Sequence, residues 1–121
     1  MEKIDSQVKI LTDVLSDLPK CFTITSGVNH VPENEFYVRF AFRKKTPEKT
    51  IKETLLIIAK AIEKFNGKVT ITKVKKPGSD GITWEIRGHD ISPIEVALEI
   101  MDVEADVLER QVDALVARRG W

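Results

Sequence analysis

The chain has 121 residues, 42% of them apolar and 31% charged, which suits one globular domain and is too apolar for disorder and too charged for a membrane-embedded protein. Nineteen basic and nineteen acidic side chains cancel, which argues against a protein whose affinity rests on a strong overall positive field. The lone cysteine, Cys21, excludes an internal disulfide, and no apolar run approaches the roughly 18 residues of a spanning helix.

The N-terminal Met1-Glu2-Lys3-Ile4-Asp5 is charged and amphipathic rather than signal-like, so a cytoplasmic setting is expected. From Ile4 to Leu18 the apolar positions Ile4, Val8, Leu11, Leu15 and Leu18 recur at helical spacing, with Ile10 and Val14 alongside, and Pro19 stops the helix. Phe22 and Ile24 then alternate with Thr23 and Thr25, a short β-branched strand. Ser26 to Glu35 holds Gly27, Asn29, Pro32 and Asn34, the residues of a connecting loop. Phe36, Val38, Phe40 and Phe42 share one face of a core strand, with Tyr37, Arg39, Ala41 and Arg43 on the other.

Thr46-Pro47 reads as an N-cap followed by proline at the first helical position. The helix that follows has Ile51, Leu55, Ile58, Ile62 and Phe65 on its apolar face and ends at Asn66-Gly67, where glycine accepts a left-handed cap. Val69 to Lys75 is a third strand, residues 77–81 make a hairpin turn, and Ile82, Trp84 and Ile86 face one way from a fourth. A last helix opens at Ser92-Pro93-Ile94-Glu95, a capping box with proline inside it, and runs over residues 92–119.

The order is α-β-β-α-β-β-α within a single domain, 1–121. Hairpin-sized connections in both strand pairs imply an α+β two-layer sandwich, a mainly antiparallel four-stranded sheet with helices on one face. The second half resembles part of a ferredoxin-like plait, and the whole order is loosely similar to the small dimerising roadblock/profilin-like domains. Likeness at the level of fold transfers no function.

The last helix is the most informative element because it carries two apolar stripes. Val96, Ile100, Val103 and Val107 form one; Ile94, Leu98, Met101, Ala105, Leu108, Val112 and Leu115 step by fours and threes on nearly the opposite side, as in a helix–helix seam. At 1.5 Å per residue the helix runs roughly 40 Å, past a sheet under about 20 Å wide, and leaves the end of the seam to be covered. Two covers fit: the first helix of the same chain, or a second copy, whose identical helix makes a self-complementary interface. The expected function is therefore a non-enzymatic association domain, a homodimer through this seam or a subunit or adaptor on another protein.

The alternative expectation is a single-stranded nucleic-acid module on the open face of the sheet, using Tyr37 to stack bases and Arg39, Arg43, Lys73 and Arg87 to hold phosphates. Charge is also segregated, with 13 Lys/Arg against 6 Asp/Glu over residues 36–90 and 3 against 7 over residues 91–121, so that a basic middle and an acidic end either attract each other, within or between chains, or form ordinary solvated faces. Open sheets that bind RNA normally present two or three aromatics, and here Tyr37 stands alone beside Glu85. Nothing in the sequence calls for a cofactor or a metal: His30 and His89 lack ligand-spaced neighbours, no P-loop is present, and Gly78-Ser79-Asp80-Gly81 reads as a turn. His89-Asp90 reads as the entry to a capped helix, and Cys21 as a small buried residue.

Overall fold

The capping box forms as its residue types dictate. In the computed structural model, which describes residues 2–29, 35–75 and 82–118, the Ile94 N–H donates to Ser92 Oγ at 3.3 Å and the Ser92 N–H donates to Glu95 Oε2 at 3.4 Å. Asp90, in the left-handed region at φ 54°, turns the chain into this cap. The Ser92 hydroxyl also bonds Gln7 Oε1, which ties the start of the last helix to the first.

The elements are α1 (Glu2–Ser16), β1 (Cys21–Asn29), β2 (Glu35–Phe42), α2 (Glu48–Glu63), β3 (Val69–Lys75), β4 (Ile82–His89) and α3 (Pro93–Arg118). The strands form one antiparallel sheet in the order β1-β2-β4-β3, so the α2 crossover carries the chain to the far edge and β4 returns between β2 and β3. All three helices contribute to one core with one face of the sheet: Val8, Leu11 and Leu15 of α1, Ile58 and Ala61 of α2, and Val96, Ala97 and Ile100 of α3 meet Phe36, Val38, Phe40, Val69 and Ile86. α3 lies between the other two helices.

Several local readings differ from the sequence expectation. β1 continues through Ser26–Asn29, a stretch that Gly27 and Asn29 mark as loop, because β2 supplies a complete antiparallel partner. Within β1 the register shifts between Thr23 and Thr25, a bulge at Ile24, which leaves Cys21 buried and Phe22 and Ile24 exposed on the side away from the helices. Pro47, rather than Thr46, occupies the N-cap of α2, and the Thr46 hydroxyl turns back to the Arg43 carbonyl. On α2 the buried residues are Thr54, Ile58 and Ala61, with Leu55, Ile57 and Ile62 half-buried beside them. Ile82, the first residue of β4, has the expected orientation but is exposed. The loop residues 30–34, the turn at 77–81 and the Ile4 side chain lie outside the described residues.

α2 ends at Glu63 with Lys64 as a right-handed C-cap, ahead of the Asn66-Gly67 stop that the sequence predicts, and Asn66 (φ 53°) and Gly67 (φ 85°) take the left-handed conformation in the turn that follows. Gly88 has a different constraint. It pairs with Phe36 across β2 and β4, and a Cβ placed on it would lie 2.3 Å from two atoms of the Phe36 ring. Phe36 is fully buried and has nowhere to go. Gly88→Ala should therefore lower the unfolding free energy by about 1–3 kcal/mol, measurable by urea denaturation.

Candidate functional site: the seam of α3 and the open face of the sheet

Two surfaces come out of the fold. The first is α3. Its 26 residues span roughly 39 Å, whereas the eight residues of β4 span about 26 Å. Since α3 starts a short turn after β4 and runs back over the sheet, it leaves the domain in its second half. Every residue from 108 to 118 is exposed.

The inner stripe packs as its spacing predicts: Val96 and Ile100 are buried, and Val103 and Val107 are half-buried. The outer stripe does not pack. Leu98 is 58% exposed, Met101 51%, Leu108 60%, Val112 52% and Leu115 50%, with Ala105 also exposed and only Ile94 half-buried. The expected intramolecular cover, α1, is already committed, because its Val8, Leu11 and Leu15 are spent in the core against the inner stripe and the sheet. Val116 (36% exposed) extends the apolar surface, and Leu56 of α2 is 67% exposed nearby. Sequence periodicity assigned Leu56 to no face; its position one residue off the α2 core stripe was the available signal.

Between α2 and the second half of α3 runs a groove of about 820 Å³ whose walls include Leu56, Ile57, Met101, Val107 and Leu108. Glu104 also lines it. Burial, and then the neighbouring Asp17 carboxylate, push the Glu104 carboxyl above its ordinary range.

The second surface is the face of the sheet away from the helices. Tyr37, Arg39 and Arg87 come together there as expected. The Arg39 and Arg87 guanidinium carbons sit 5.8 and 5.6 Å from the centroid of the Tyr37 ring. The ring lies across Gly27 of β1, where an added Cβ would be 2.9 Å from the Tyr37 hydroxyl oxygen. Both arginines are held by carboxylates: Arg39 Nε donates to Glu85 Oε1 at 3.0 Å, Arg87 Nε to Glu85 Oε2 at 3.3 Å, and Arg87 also bonds Glu35. Two positive and two negative groups close on each other.

The other two residues of the nucleic-acid expectation do not join them. Lys73 pairs with Trp84 in the ladder, on the helix side of the sheet, with its ammonium 5.9 Å from the Trp84 ring centroid. Arg43 follows the end of β2, where its N–H donates to the Lys20 carbonyl. Strand parity places Lys73 on the face opposite to Thr72, a sign already present in the sequence.

His89 and Asp90 approach to 3.4 Å at the protein surface, both about half exposed and away from the groove. Cys21 is buried, and desolvation pushes its thiol up to about 12, which leaves it protonated and unreactive. Among the described residues no group of three or more His, Cys, Asp and Glu is placed to hold a metal ion, and no described helix is long and apolar enough to cross a membrane.

Glu85 is 7% exposed. Its burial alone would raise the carboxyl, yet the hydrogen bonds and charges of Arg39 and Arg87 outweigh it and hold the group below the usual carboxylate range. The folded-state value is thus lower than the unfolded one of about 4.3, and the stabilisation is present above that pH and lost as the pH falls through the lowered value. Glu85→Gln should cost about 1–2 kcal/mol at neutral pH, and in urea titrations its deficit against the parent protein should narrow on acidification. Glu104→Gln should act in the opposite sense and stabilise the domain at neutral pH, because the carboxyl it removes is raised on folding.

Compared with protein-family models, with curated proteins and with solved structures, the chain matches none.

Proposed function

We propose that the protein is a non-enzymatic association domain that acts in the cytoplasm as a homodimer joined through α3, and that in this form it serves as a subunit or adaptor of a larger assembly. The observation that carries this reading is the row Leu98, Met101, Leu108, Val112 and Leu115, each half exposed or more along a helix whose residues 108–118 are all exposed. Burial of such side chains is worth roughly 1.5–3 kcal/mol each. A second copy is the partner best matched to the row, since a two-fold axis brings the same apolar stripe to itself and leaves the acidic flank of Asp102, Asp106 and Asp113 in solvent.

The open face of the sheet favours this reading over nucleic-acid binding. Its two arginines are already neutralised by Glu35 and Glu85, so a phosphate would have to displace a carboxylate to reach either.

Sedimentation at two concentrations tests the proposal. The parent chain should sediment at twice its 13.7 kDa. Replacing Leu108 and Leu115 together by Lys should weaken association at least about a thousandfold and return the mass to a single chain, with helix content nearly unchanged because both side chains are exposed in the isolated chain, and with the melting temperature lowered only by the loss of the dimer's stabilisation. A parent protein that stays at single-chain mass at both concentrations overturns it.

A further inference from the structure

The exposed row on α3 is close to symmetric about one residue. Met101 lies seven positions before Leu108 and Leu115 seven after; Ala105 lies three before and Val112 four after. A two-fold axis crossing the helix at Leu108 therefore superimposes the row on itself with the chain direction reversed. Met101 then faces the partner's Leu115, Ala105 faces the partner's Val112, and Leu108 meets its own copy. The pairing of small Ala105 with larger Val112 lets the two helices approach closely at both of those layers.

The flanking residues separate this arrangement from a parallel one. In a parallel pair with the same seam, Glu104 of each chain faces Glu109 of the other, and the symmetry makes that repulsion twice. In the antiparallel pair Glu104 faces Gln111, whose amide can donate to it, and like charges meet only once, at Glu109 near the axis. Glu104 is half-buried with Asp17 already close, so an added carboxylate there is costly and an amide is not. Glu104 and Gln111 both line the groove between α2 and α3, as does Met101.

Building on the association reading, we infer that the two copies pair antiparallel across Leu108, and that the exposed end of each α3 fills the groove between α2 and α3 of the other copy. The partner's Leu115, opposite Met101, is the residue placed to reach Leu56. The pairing accounts in one step for the overhanging helix end, the exposed leucine on α2 and the open groove.

Single cysteines and a short bismaleimide test the geometry, after the sedimentation mass of each variant has been measured. The parent chain is the control, because its Cys21 is buried. Leu108→Cys should convert to a linked dimer. Leu115→Cys should not, because antiparallel pairing across Leu108 separates its two copies by roughly 21 Å along the axis. Leu115→Cys mixed with Met101→Cys should link, and this mixture leaves Leu108 intact should its replacement weaken the dimer. Self-linking of Leu115→Cys as readily as Leu108→Cys would overturn the antiparallel register in favour of a parallel pair. Dimeric mass with no link in the Leu108→Cys sample or in the mixture would place the interface elsewhere. Single-chain mass throughout would remove the association reading itself, and this inference with it.

Discussion

A continuous helix cannot stop where its domain stops. α3 is anchored at its start by the capping box and the Ser92–Gln7 bond, and gripped over its next turns by Val96, Ala97 and Ile100 between α1 and α2. After Ile100 no glycine or proline interrupts it before Arg118. The helix therefore carries its apolar seam out beyond the sheet, and the groove beside α2 exists because the two helices no longer have a common core to hold. The anchoring at one end is what makes the other end a presented surface.

The sheet has the opposite character. Its inner face is a tight apolar layer in which Gly88 yields its side-chain space to Phe36. Its outer face is a closed polar network, with Tyr37 between two guanidinium groups and Glu85 bonded to both. A carboxylate as buried as Glu85 is tolerated only because its partners satisfy it, and removing one partner strands the others. The network uses up on internal pairing the charges that would otherwise be available to a ligand. The acidic half of α3 has one basic counterpart from the middle of the chain, the 3.1 Å Lys64–Glu99 pair, among the described residues. The segregation of charge along the sequence is thus largely not neutralised within the fold.

Much of this was legible in the order of residues. Period-2 alternation in Phe36–Phe42 and Ile82–Ile86 identified the inner face of the sheet, and Ser92-Pro93 set the start of α3, because these signals act within a few residues of where they are written. The two stripes of α3 could be separated by spacing alone. Less legible were effects that need a neighbour. The strand Ser26–Asn29 forms against the propensity of its own residues because β2 is beside it, the bulge at Ile24 changes which face β1 buries, and Thr54 and Ala61 of α2 are buried although neither belongs to its apolar stripe.

The sequence by itself determined the α+β order, the antiparallel hairpins and the existence of a bifacial C-terminal helix, since each depends on local dihedral preference and on the period of apolar residues. Only the tertiary structure decided which stripe of that helix the domain consumes, that α1 is committed elsewhere, that Lys73 faces away from Arg39 and Arg87, and that those arginines are bound to carboxylates. The physical reason is that a period says which residues share a face, whereas what lies against that face is set by residues distant in the chain, through the volume each side chain fills and the charge each one meets.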